Sequence, residues 1–75
     1  MKACVLMRVQ PGKHNQVATQ VSKLSGVKIA FPTLGRQDVV ADVEAASVQA
    51  LASLLSRIQA MENVRGTETL VAIEV

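Results

Sequence analysis

Aromatic residues are nearly missing from this chain: it has no Trp and no Tyr, and Phe31 is its one aromatic side chain. Any core must therefore be built from Val, Leu, Ile, Ala and Met, and a cavity in this protein has almost no aromatic lining to draw on. Cysteine is as scarce. Cys4 stands alone, which excludes an internal disulfide, and no Cys/His cluster has the spacing of a zinc site. No stretch approaches the ~20 apolar residues of a membrane span. The apolar run from Ala3 to Met7 is too short for the core of a signal peptide. A free cysteine without an export signal fits a reducing, cytoplasmic setting. A concentrated charge is also lacking. The net charge is +2, and Lys2, Arg8, Lys13, Lys23, Lys28, Arg36, Arg57 and Arg65 are scattered. Without a basic stripe or a helix-turn-helix, the pI near 9.1 is weak support for direct nucleic-acid binding.

What is present is a globular composition, 49% hydrophobic and 19% charged, in 75 residues that form one domain over residues 1–75. A domain of this size buries only ~60% of the surface its unfolded chain exposes, so small domains add disulfides, a metal or partner subunits. With the first two closed, subunit association remains.

Lys2 to Val9 reads as a first strand ending at the Pro11-Gly12 turn. From Lys13 to Leu24, Val17, Val21 and Leu24 recur at helical spacing beside Ala18, and Ser25-Gly26 supplies the stop. Val27 to Leu34 alternates Val27, Ile29 and Phe31 against Lys28, Ala30 and Pro32, which predicts a second strand with the first three on one face. Pro32 lacks an N–H and belongs at an edge. Gly35-Arg36-Gln37 connects to a third strand, Asp38 to Glu44. Ser47 is placed to cap a second helix in which Val48, Leu51, Leu54, Leu55, Ile58 and Met61 recur at spacings of three and four. Arg65 to Val75 reads as a fourth strand, with Thr67, Thr69, Val71, Ile73 and Val75 on one face.

The order β-α-β-β-α-β is the split βαβ, or ferredoxin-like, arrangement: an α+β fold with a four-stranded antiparallel sheet carrying two helices on one face. Its other face should be solvated and polar, yet these strands are apolar on both sides. The first strand sets Ala3, Val5, Met7 and Val9 against Cys4 and Leu6, and the fourth sets Val71, Ile73 and Val75 against Leu70 and Ala72. A second sheet is therefore expected to cover the bare face, most simply through a two-fold axis, giving a dimeric α+β barrel.

The segment from Thr33 to Val43, the ending Val64-Arg65-Gly66-Thr67-Glu68-Thr69-Leu70-Val71 and the order of elements together resemble the C-terminal effector-binding (RAM) domain of the Lrp/AsnC transcription regulators. The resemblance spans essentially the whole chain and implies a RAM domain standing without the family's helix-turn-helix. It further implies a homodimer assembling into a larger, octamer-like ring. Amino acids would be held between dimers at a Gly-x-x-Asp turn and a Thr-x-Thr strand start. Carried over, the turn is Gly35, Arg36, Gln37 and Asp38, and the strand start is Thr67 and Thr69. One departure is Gln37, where relatives often carry an aromatic side chain, and the ligand's identity stays open. With one histidine in a polar segment and almost no aromatic lining, the residues offer no convincing set of acid, base or cofactor ligand, so no enzyme activity, no cofactor and no metal are expected. The expected partners are a small molecule and a full-length regulator of the family, with no membrane.

The chemistry of these positions is plain. Glycine lets a ligand approach the backbone, free N–H groups hold a carboxylate, and Asp38 can pair with an ammonium. The bland alternative is a hairpin turn with a solvated aspartate. Thr67 and Thr69 share a face and offer two hydroxyls, although threonine also favours strands for packing alone. His14 and Arg8 read as surface residues, with Arg8 also able to reach Glu68, Glu74 or Asp42 of another subunit. Cys4, Met7 and Met61 read as packing residues. Two rival functions stay open beside the sensor: a small cofactor-independent enzyme of the dimeric α+β barrel type, and a ligand-free assembly module. An ACT-type amino-acid-binding domain shares the element order, but the Gly-x-x-Asp and Thr-x-Thr placement favours the RAM reading.

Overall fold

In the computed structural model, which describes residues 1–73, β1 (Lys2–Val9) is followed by α1 (His14–Ser22), β2 (Val27–Pro32) and β3 (Val39–Glu44). Then come α2 (Val48–Gln59) and β4 (Val64–Val71). The expected element order is therefore observed. The strands form one antiparallel sheet in the order β2-β3-β1-β4, with α1 packed over β2 and β3 and α2 beside β4.

Alternation along the two central strands builds the core. Ala3, Val5, Met7 and Val9 of β1 and Val39, Ala41 and Val43 of β3 all point to the helices and are buried. They meet Val17, Ala18 and Val21 of α1 and Leu51, Leu54 and Ile58 of α2. Small β-branched side chains fill this layer, as a chain with one aromatic residue requires. Ser47 caps α2 by accepting the Ala50 N–H at 3.1 Å. Val48, the first residue of α2, lies outside the apolar stripe and is 64% exposed.

Besides Val48 and the end of β2, which stops at Pro32 rather than Leu34, four sequence expectations are corrected. First, α1 stops at Ser22 rather than Leu24, because the N–H groups of Lys23 and Leu24 bond to the carbonyls of Gln20 and Val21, three residues back, and tighten the last turn. Gly26 then turns the chain with φ 94°, in a place where a Cβ would lie 3.0 Å from the Glu44 carbonyl oxygen. Second, β3 starts at Val39, one residue later than expected, with Asp38 in the preceding turn.

The third correction matters most for function. A bulge between Val27 and Ile29 shifts the register against β3, so Val27 pairs with Val43 while Ile29 pairs with Asp42 and Phe31 with Val40. Val27 thus turns toward the helices and Ile29 and Phe31 toward the opposite, open face, instead of all three sharing one side. Fourth, β4 runs from Val64 to Val71, and the expected continuation through Ala72 and Ile73 is not strand. The Ala72 N–H bonds to the Lys2 carbonyl at 2.8 Å, and β1 has no residue left to pair beyond it. Ile73 follows at 87% exposure, and the expectations for Glu74 and Val75 lie outside the described residues.

The open face is apolar at its centre. Cross-strand pairing sets Phe31, Val40, Leu6 and Glu68 in one row and Ile29, Asp42, Cys4 and Leu70 in the next. Phe31, Ile29 and Leu70 are 42%, 54% and 53% exposed. Leu6, Val40 and Cys4 are half-buried.

Candidate ligand-binding site

The sequence-predicted residues gather at one end of the sheet. Val39, Met7 and Thr67 are successive partners across β3, β1 and β4. The Gly35–Asp38 turn, which leads into Val39, and the start of β4 therefore lie at the same end, two strand spacings or ~10 Å apart. Within one copy β1 keeps them from touching.

The turn is anchored at its far end and open at its tip. The Asp38 N–H donates to the Met7 carbonyl at 2.8 Å, and the Asp38 carbonyl accepts the Thr33 N–H at 2.9 Å. The Thr33 hydroxyl donates to the Gln37 carbonyl at 2.7 Å. Beyond these bonds Leu34, Gly35 and Arg36 project into solvent, with Leu34 fully exposed and Gly35 at φ 140°. The N–H groups of Gly35, Arg36 and Gln37 donate to no backbone carbonyl among the described residues. They form a small set of free donors, the chemistry that holds a carboxylate.

The Asp38 carboxylate is turned inward. One oxygen accepts the Val9 N–H at 2.8 Å, and the other lies 3.4 Å from His14 Nε2. Asp38 is thus neither a fully solvated turn residue nor an unengaged ligand acceptor: it ties the turn to the β1–α1 connection. A carboxylate has about four lone-pair positions, and the Asp38 side chain is 27% exposed, so acceptor capacity remains. His14 is corrected from a simple surface residue to the aspartate's neighbour. Its position just after the Pro11-Gly12 turn brings it there, and spacing along the sequence gave no sign of it.

Thr67 and Thr69 do share a face, as the period of two predicts. They pair with Met7 and Val5 and so look toward the helix layer at the outer edge of the sheet, where both are half-buried. Gln59, the last residue of α2, donates from Nε2 to the Thr67 hydroxyl oxygen at 3.1 Å.

A family model described as the Lrp/AsnC ligand binding domain matches residues 2–75. The chain belongs to this family. The HTH-type transcriptional regulator FL11 of Pyrococcus furiosus is 27% identical to it over 73 residues, covering 97% of this chain and 48% of the regulator. This Lrp/AsnC domain thus spans about half the length of the curated relatives it matches, which are HTH-type transcriptional regulators. Among solved structures, TTHA0845 from Thermus thermophilus superposes with a TM-score of 0.92 at 28% identity, covering 99% of this chain and 94% of that one. Escherichia coli AsnC superposes with a TM-score of 0.87 at 21% identity over 99% of this chain and 51% of its own, a likeness of fold.

Two further features of the Lrp/AsnC domain escaped the sequence reading. A bulge between Arg8 and Val9 leaves Arg65 without a partner residue on β1, and its guanidinium instead donates to Gln10 Oε1 from Nε at 3.1 Å and Nη2 at 2.6 Å. Beside it, Gln59, Val64, Arg65, Gly66 and Thr67 line a shallow depression at the sheet edge. Gln10 and Arg65 are far apart in sequence, so only the β1–β4 pairing reveals the contact. No helix among the described residues is long and apolar enough to cross a membrane.

Proposed function

We propose that this domain is an oligomeric sensor of an amino acid or closely related metabolite that modulates transcription in the cytoplasm through a DNA-binding regulator of its family. Two copies pair through the open faces of their sheets, the pairs assemble further into an octamer-like ring, and ligand binds between pairs. The Gly35–Asp38 turn contributes N–H donors for a carboxylate and the remaining lone pairs of Asp38 for an ammonium. Thr67 and Thr69 contribute from the start of β4. Binding between pairs couples occupancy to assembly, because a ligand that favours one assembly shifts the population toward it.

The observation that carries this reading is the clustering, at one end of the sheet of a ligand-binding family domain, of free turn N–H groups and the Thr67 hydroxyl. Pairing draws support from the open face. Covering Leu6, Ile29, Phe31, Val40 and Leu70 is worth about 1–2 kcal/mol each at ~25 cal/mol per Å2, against a total stability of ~5–15 kcal/mol for a small domain. The charges on that face also suit a second copy. Lys28 and Glu44 pair with each other at 3.3 Å, leaving Lys2 and Arg8 to balance Asp42 and Glu68. A face with equal charges of both signs is complementary to itself, as a two-fold interface requires.

The regulatory relatives favour this binding role over catalysis. Isothermal titration with each of the twenty amino acids, followed by light scattering, tests the proposal. Heat from at least one of them together with a change in particle size is expected. Silence in both measurements removes the sensing role and leaves an assembly module.

A further inference from the structure

We propose that the depression at the start of β4 is a carboxylate-binding subsite, so that the ligand of this domain is an amino acid with an acidic side chain. The inference rests on the sensing role proposed above and names the chemical class of its ligand.

Of the five residues lining the depression, Arg65 alone is charged. Its guanidinium donates to the Gln10 side chain from two nitrogens, and the Gln10 backbone N–H donates to the Asn63 carbonyl at 2.8 Å, which sets Arg65 beside the β1–β4 junction. A guanidinium has five N–H groups. The two bonds to Gln10 leave the others for a carboxylate, which matches a guanidinium in geometry as well as charge.

Thr67 complements this cation. Its hydroxyl oxygen already accepts from Gln59, so the hydroxyl hydrogen is left to donate. Arg8, the β1 partner of Gly66, lies over that glycine on the open face of the sheet and is not among the residues lining the depression, so Arg65 is the cation of this subsite. Among the described residues Arg65 forms no ion pair with a carboxylate. An ammonium side chain would meet like charge here, and an apolar one would leave the donors unused. A second carboxylate satisfies both Arg65 and Thr67, while the turn N–H groups of a neighbouring pair take the ligand's α-carboxylate.

The test is titration calorimetry of the intact domain with L-aspartate, L-glutamate, their amides L-asparagine and L-glutamine, and L-lysine. One of the two acids is expected to bind at least about tenfold more tightly than its amide, the discrimination that a charge-assisted contact supplies. Arg65→Gln is expected to erase that preference, weakening the acid and sparing the amide, with particle size unchanged by light scattering. Arg65→Lys should restore part of it, and Thr67→Val should weaken the acid without touching Arg65. An amide or lysine that binds as well as the acid overturns the inference while leaving the sensor intact, as does an Arg65→Gln variant with undiminished acid affinity. Silence toward all twenty amino acids overturns both together.

Discussion

The carboxylate of Asp38 accepts the backbone N–H of Val9 at 2.8 Å, just past the point where β1 and β3 end their pairing at Met7 and Val39. A side chain thereby continues the ladder for one more rung. The same residue fixes the exposed turn and the β1–α1 connection in one place.

Removing this contact should cost stability. Asp38→Ala leaves the half-buried Val9 N–H without its acceptor, a loss of about 1–3 kcal/mol. Asp38→Asn keeps an acceptor oxygen and should lose less. Urea unfolding at one fixed protein concentration measures both, and two variants as stable as the parent would show that the bond contributes nothing.

Gly26 and Gly12 both sit at positive φ, 94° and 83°, but in different surroundings. Alanine at either position pays about 1–2 kcal/mol for the left-handed backbone. Gly26→Ala should lose more than Gly12→Ala, because its Cβ would press on the Glu44 carbonyl oxygen at 3.0 Å while Gly12 faces open space. Thermal unfolding ranks the pair, and the reverse order would contradict this account of the α1–β2 turn.

Ser47→Ala removes the hydroxyl that accepts the Ala50 N–H and should lower stability by about 1 kcal/mol, within the ~0.5–2 kcal/mol range of such caps. Ser47→Asp retains an acceptor at the same place and should stay close to the parent. Equal unfolding midpoints for Ser47→Ala and the parent would remove the cap from the account.

Much of this fold was legible because periodicity reports burial directly. The spacing of Leu51, Leu54 and Ile58 marks the face of α2, and the alternation of Ala3, Val5, Met7 and Val9 marks the core side of β1. Ser47 announced its helix for the same local reason. The bulge at Lys28 was not legible, because inserting one residue changes the face of everything after it while leaving the alternation itself intact. That is why Ile29 and Phe31 were assigned to the side of Val27. The site was legible in part. The turn and the strand start came from the resemblance and fall at one end of the sheet, but His14, Gln59 and the Gln10–Arg65 contact depend on chain segments that only folding brings together.

The bulge carries its own prediction. Because it turns Phe31 onto the open face beside Val40, Phe31→Asp should place a carboxylate in the apolar part of the proposed interface, toward the β2 edge, and dissociate the pair. Leu34→Asp, at the fully exposed tip of the turn, should leave the pair of sheets joined. Sedimentation velocity distinguishes the two variants, and a Phe31→Asp protein that remains paired would place the interface elsewhere.

The central claim is that the open face bearing Leu6, Ile29, Phe31, Val40 and Leu70 is covered by a second copy of the chain. Sedimentation equilibrium of the unmodified domain at micromolar concentration tests it most directly. The account predicts a mass of two subunits or a multiple of two; a folded, stable species with the mass of a single chain would contradict it.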